Sequence, residues 1–166
     1  MAEFTLKGKT FHTSGELPDM GAAPPAFSLT KTDLQDVGLE DFAGKAVILN
    51  IFPSVDTATC AASVRRFNEE ASKRPDTVVL CVSADLPFAH SRFCGAEGLD
   101  KVLSLSDMRD KDFGQRYGVK ITDGPLAGLL ARAVVVIGPD GKVIHRQLVS
   151  ELSQEPDYDA ALSALG

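Results

Sequence analysis

Hydrophobic and polar positions along this chain change period several times, and each change marks an element. Ala46-Val47-Ile48-Leu49-Asn50-Ile51, Thr77-Val78-Val79-Leu80-Cys81-Val82-Ser83 and Ala133-Val134-Val135-Val136-Ile137 are near-continuous apolar runs of strand length. Such runs predict strands buried on both faces. Between the first two, Cys60, Val64, Phe67 and Ala71 recur at i, i+4, i+7 and i+11, one face of a helix. Arg65, Arg66, Asn68, Glu69, Glu70 and Lys73 fill the rest of its surface, and Pro75 and Asp76 end it. Strand, helix, strand in that order predicts a right-handed crossover between parallel strands.

The flanking sequence is more broken. Phe4-Thr5-Leu6-Lys7 and Lys9-Thr10-Phe11-His12-Thr13 alternate around Gly8 and predict an N-terminal β-hairpin. Pro18, Pro24 and Pro25 make residues 15–27 an irregular connection. Residues 27–30 and 35–39 are short strand candidates, and 39–45 reads as a turn. Residues 87–94 predict a short helix ended by Gly95, 102–106 a strand, and 112–117 a helix stopped by Gly118. Gly138-Pro139-Asp140-Gly141 turns the run at 133–137 back into 142–149 as a hairpin. Pro156 and Asp157 open a closing helix that can pack Tyr158, Ala161, Leu162 and Leu165. The fold class is α/β: a thioredoxin-like sandwich with a central mixed sheet, flanking helices and the N-terminal hairpin, expected as one domain over 1–166. Strand neighbours do not follow from this order.

The run Phe52-Pro53-Ser54-Val55-Asp56-Thr57-Ala58-Thr59-Cys60 joins the first apolar strand to the helix. It puts a cysteine at or just inside a helix N-terminus, with a threonine hydroxyl three residues upstream. Unpaired backbone N–H groups and the positive dipole end favour a thiolate there. Thr57 can cap the helix or hydrogen-bond a small oxygen-bearing substrate. Pro53 can keep water away without adding a donor. Asp56 reads as an exposed turn residue, since its charge would disfavour an adjacent thiolate. Arg132, just before 133–137, is placed to face a cleft near the sheet edge. Taken singly, Cys60 also fits a small apolar residue under its helix, Cys94 an inert helix-end cysteine and Arg132 a surface cation. Cys81, central in its strand, reads as buried and without catalytic use.

Three segments together carry more than any of these residues alone. Pro53-Ser54-Val55-Asp56-Thr57-Ala58-Thr59-Cys60, then residues 83–94 from Ser83-Ala84-Asp85 to Arg92-Phe93-Cys94, then Gly124-Pro125-Leu126-Ala127-Gly128-Leu129-Leu130-Ala131-Arg132 occur in that order. In these segments the chain resembles the thiol peroxidases of the atypical two-cysteine peroxiredoxin family. The resemblance implies a thioredoxin-like fold with Cys60 as the peroxidatic cysteine and Cys94 as the resolving one. It implies that Pro53, Thr57 and Arg132 complete the site. It also implies reduction of hydrogen peroxide and organic hydroperoxides through a Cys60–Cys94 disulfide inside one subunit, recycling by thioredoxin, and a homodimer. No bound cofactor or metal is expected. A helix around each cysteine argues against pairing in the reduced fold, so local unwinding near Cys60, movement of 87–94, or both, is expected.

Composition narrows the alternatives. A net charge of −6, with no basic block, disfavours nucleic acid and anionic membrane as partners. The N-terminus lacks the pattern of a secretory signal and no apolar run approaches membrane-spanning length, so a cytoplasmic location is expected. The three cysteines, at 60, 81 and 94, form no CxxC pair, which disfavours a structural zinc site and a thiol–disulfide oxidoreductase. His12, His90 and His145 are widely spaced and read as surface or packing residues. A redox-controlled binding protein is the other competing reading.

Overall fold

The three apolar runs form the middle of a seven-stranded mixed sheet in the computed structural model, which describes residues 1–166. The strands are β1 (Glu3–Leu6), β2 (Lys9–His12), β3 (Leu29–Thr30), β4 (Asp36–Val37), β5 (Ala46–Ile51), β6 (Thr77–Ser83), β7 (Leu103–Ser106), β8 (Ala133–Ile137) and β9 (Val143–Leu148). β1 and β2 pair only with each other; the large sheet runs β4-β3-β7-β6-β5-β8-β9. β5, β6 and β7 are parallel, and the flanking pairings are antiparallel. The crossovers are α1 (Ala58–Ala71) and α2 (Pro87–Glu97); α3 (Phe113–Arg116) and α4 (Tyr158–Ser163) are shorter.

Alternation along the central strands sorts side chains onto two faces. Val47, Leu49, Ile51, Leu80, Val82, Ala133, Val135 and Ile137 share one core with Phe113 and Tyr117. Ile48, Val79, Cys81, Val134 and Val136 share the other with Val64 and Phe67 of α1, Phe93 of α2 and Ala161 of α4. Both faces are covered, which is why β5 reads as an unbroken apolar run and not as alternating. Burying each such side chain contributes about 1.5–3 kcal/mol. Cys60 and Cys81 belong to this second core, and Cys94 packs against it.

One local feature differs from the sequence reading. α2 continues through Gly95 to Glu97, because the left-handed cap falls at Gly98 (φ +69°), whose N–H reaches the Cys94 carbonyl. Residues 39–42 form a 3-10 turn. β8 lies between β5 and the edge strand β9, so Arg132 precedes a strand one place in from the sheet edge.

The hairpin turns at Lys7 and Gly8, both with positive φ, the backbone of a two-residue type I′ loop. It docks through β1. Thr5 N–H donates to the Ser150 carbonyl, and Leu152 N–H donates to that of Thr5. Phe4 packs with Ile121, Ala131 and Leu152. This docking carries Leu6 and Lys7 to the C-terminal end of β5. No helix is long and apolar enough to cross a membrane.

Candidate active site

β5 ends at Ile51, and the chain passes through Pro53 to Thr57, the N-cap of α1. Thr57 Oγ1 accepts from Cys60 N–H at 3.3 Å and donates its one proton to the Ser54 carbonyl at 3.2 Å. The exposed hydroxyl therefore has a lone pair left and no proton to give, so it can accept a hydrogen bond from a peroxide O–H. Cys60 is the third residue of the helix and fully buried. Its carbonyl accepts from Ser63 Oγ at 2.8 Å, and Ser63 Oγ in turn accepts from Asn50 Nδ2 at 3.2 Å. Asn50, the one polar residue inside the apolar run of β5, thus fastens the start of α1 to the sheet.

Arg132 is almost wholly buried. Its Nε donates to the Leu152 carbonyl at 2.9 Å, while Nη1 is buried without a partner. An unpaired guanidinium N–H is costly, and an oxygen anion entering the site would satisfy it. Arg132, Pro53, Thr57, Ala58 and Thr59 line one cleft of about 540 Å³; Cys60, fully buried, belongs to the same helical turn as Ala58 and Thr59 and does not itself line it. Leu6, Leu126, Leu129 and Leu152 give the cleft apolar walls. The Glu151 carboxylate steadies its rim by accepting from Ser153 and from Lys7 N–H. The bonds from Ser153, chiefly from its hydroxyl, pull that carboxyl down to about 2.

Cys94 lies elsewhere on the same side of the sheet. Its thiol is 3.3 Å from Ser104 Oγ in β7 and borders a separate hollow of about 390 Å³ with Ser91, Leu99 and Val102. Asn50, Cys81 and Ser104 are cross-strand neighbours on β5, β6 and β7. The anchor of Cys60 and the anchor of Cys94 are therefore two strand spacings apart, about 10 Å. All three cysteines are free thiols. Burial raises the Cys94 thiol against the opposing bond to Ser104, and pushes the Cys81 thiol up to about 12.

That contrast gives an expected outcome. Iodoacetamide at pH 8 modifies Cys94 in the folded, reduced protein and leaves Cys81 unlabelled until denaturant is added. Peptide mass spectrometry reads both sites; fast native labelling of Cys81 would contradict its burial.

The site holds residues whose part was not apparent from the sequence. Asp56 is exposed, as expected, yet accepts from Arg92 of α2 at 2.8 Å. His90, expected at the surface or in packing, is fully buried against Ser83. Leu6, Lys7, Leu152 and Ser153 reach the cleft only through docking of the hairpin and the C-terminal segment. Alternation in β1 marks Leu6 as able to pack, but no local pattern says against what.

Similarity to known proteins agrees with this arrangement. The Redoxin family model matches residues 19–162. A thiol peroxidase of Mycobacterium tuberculosis is 58% identical over 166 residues, covering 100% of this chain and 99% of the relative. A peroxiredoxin-like protein of Aquifex aeolicus superposes with a TM-score of 0.92 at 35% identity, covering 98% of this chain and 95% of the other. A thiol peroxidase of Chromobacterium violaceum shares the fold at a TM-score of 0.90 and 24% identity, over 97% and 93% of the two chains. With a thioredoxin-like mixed sheet, a cysteine in the first turn of the crossover helix and relatives matched end to end, the chain belongs to the Redoxin family and, within it, to the thiol peroxidases of the peroxiredoxin class.

Proposed function

We propose that the chain reduces hydrogen peroxide and organic hydroperoxides by a two-cysteine cycle in which Cys60 attacks and Cys94 resolves. The observation that carries the reading is that the capped first turn of α1 and Arg132, whose Nη1 has no partner, line one cleft.

The nucleophile is the Cys60 thiolate. It attacks the distal oxygen of ROOH; the O–O bond breaks, and the departing RO⁻ takes a proton to leave as water or alcohol. Cys60 becomes a sulfenic acid, two electrons poorer. Thr57 holds the peroxide proton, and Arg132 stabilises charge growing on the departing oxygen. Leu126, Leu129 and Leu152 offer apolar surface to an alkyl group on that oxygen, which supports organic hydroperoxides as substrates beside hydrogen peroxide.

Cys94 then attacks the Cys60 sulfur, expelling water and forming the disulfide. Bridged cysteines have Cα atoms within about 7 Å. Anchors about 10 Å apart on the sheet support an unwinding of one or both helices before the bond forms. A dithiol protein reopens the bond through a mixed disulfide. Thioredoxin is the proposed reductant, the chain acting as a homodimer whose subunits each hold one complete cysteine pair.

One equivalent of peroxide added to reduced protein should yield a Cys60–Cys94 disulfide with Cys81 free, mapped by mass spectrometry. C94S should form the sulfenic acid at a rate within about threefold of the native protein, consistent with a group anchored far from the cleft. It should then lose thioredoxin-supported turnover and accumulate sulfinic acid as peroxide rises. A C94S protein that keeps turning over would remove Cys94 from the cycle.

A further inference from the structure

The loop that carries Thr57 and the helix that carries Cys94 share one half-buried anchor. Asp85, just after β6, accepts from Ser54 Oγ at 2.7 Å and from Val55 N–H at 2.9 Å, so its carboxylate grips the cysteine loop at two points. Ser83 Oγ donates to the same carboxylate at 2.5 Å and lies 3.1 Å from Nε2 of His90. His90 stands one helical turn before Cys94 in α2.

Proton accounting fixes the direction of the chain. The carboxylate only accepts, and the single proton of Ser83 is spent on it, so His90 must supply the proton of the Ser83–His90 bond from Nε2. The order is His90 N–H to Ser83, Ser83 O–H to Asp85, and Asp85 to Ser54 and Val55. Burial lowers the histidine pKa, against the pull of Asp85 and the Leu105 backbone, which favours a neutral ring. The other ring nitrogen, Nδ1, is buried and makes no well-formed hydrogen bond. An apolar side chain would fill this space without that unmet polar atom, so packing alone does not account for a histidine here.

We propose that Asp85, Ser83 and His90 are positioning residues that act as a latch, coupling release of the 53–57 loop to release of α2. The inference rests on the Cys60–Cys94 pairing proposed above, which needs both segments to move. While the latch is closed, Cys60 stays in the folded turn below the cleft and Cys94 stays on Ser104. Withdrawal of His90 takes a donor from Ser83 and weakens its hold on Asp85, because hydrogen bonds in a chain strengthen one another. The exposed Arg92–Asp56 pair spans the same two segments and, being solvated, adds little. The latch thus sets the balance between resolution and a second attack by peroxide on the sulfenic acid.

The test uses reduced full-length protein and the variants Ser83→Ala, His90→Phe and His90→Gln. Hydrogen exchange is read at residues 53–57 and 87–97. Ser83→Ala and His90→Phe should each speed exchange about tenfold at Val55, although His90 has no hydrogen bond to the loop. His90→Gln, which keeps an N–H near the Nε2 position, should return it to within about threefold of native. Phe93→Leu, which loosens the packing of α2 and leaves the latch bonds in place, should not change Val55.

After peroxide is added, rapid quenching with a thiol label should show disulfide formation about tenfold faster in Ser83→Ala and His90→Phe. The sulfinic fraction at excess peroxide should fall in proportion. Native exchange at Val55 in Ser83→Ala, or His90→Gln behaving like His90→Phe, would overturn the latch. Faster exchange with an unchanged resolution rate would overturn its control of the second step. If the native protein forms no Cys60–Cys94 bond, the pairing falls, while exchange in the reduced protein still decides whether the two segments are coupled.

Discussion

Replacing Cys60 by serine is expected to lower the rate of peroxide reduction at least about 10⁴-fold, because no other group in the cleft can form the covalent intermediate. Serine keeps the size of the side chain and the backbone bonds that fix the turn. Cys60 N–H can still reach Thr57, and its carbonyl can still accept from Ser63. What is lost is a sulfur soft enough to take an oxygen atom from a peroxide. The hydroxyl of serine lacks that softness. Burying it in a fully covered position costs about 1–3 kcal/mol unless it finds a partner. A modest fall in Tm should therefore accompany the loss of activity. Peroxide consumption coupled to thioredoxin, with a thermal melt of the same sample, separates the two effects. A folded C60S protein retaining more than about one per cent of native activity would contradict the nucleophile assignment.

Local chemistry was the legible part of this molecule. β5, β6 and β8 announce themselves as apolar runs because both of their faces are buried. α1 shows a helical period because only one of its faces is. Cys60 and Thr57 fall within four residues of each other at a strand-to-helix turn, so their meeting needs no tertiary information. α2 was harder. It buries only Pro87, His90 and Phe93, a weak stripe, and Gly95 resembles a stop although it is an open surface position inside the helix. The true end depends on which glycine adopts positive φ, and that is Gly98.

Strand order and cleft walls were out of reach for a different reason. Nothing near Thr5 in sequence specifies that it will pair with the segment at 150–152, and that pairing decides that Leu6 and Lys7 stand beside Pro53. The partner of Arg132 is hidden on the same ground. A cation ahead of an apolar strand says nothing of the Leu152 carbonyl that its Nε reaches. Asp85 shows the limit most sharply. Its neighbours Ala84 and Leu86 suggest an ordinary turn, and only the fold brings Ser54 and Val55, some thirty residues back, onto its carboxylate.

Arg132 leads to the second large effect. Its Nε bond to Leu152 fixes the guanidinium in place, and the free Nη1 is the part available to sulfur or oxygen. Arg132→Met keeps the aliphatic stem and removes every donor and the charge. Loss of a positioned donor of this kind costs about 10²–10³-fold in rate. The rate constant for sulfenic acid formation should fall by that factor, with little change in the later closing of the disulfide. Arg132→Lys supplies a charge but no planar fork. It cannot hold the Leu152 carbonyl and also point a second N–H in the Nη1 direction, so it should recover only part of the rate. Leaving the Leu152 carbonyl unsatisfied in the methionine variant costs about 1–3 kcal/mol, to be read as a lower Tm. Should Arg132→Met react with peroxide at the native rate, the buried guanidinium would have to be assigned to holding the 150–153 segment alone. The stabilisation of the departing oxygen would then fall to the first-turn amides of α1 and to Thr57.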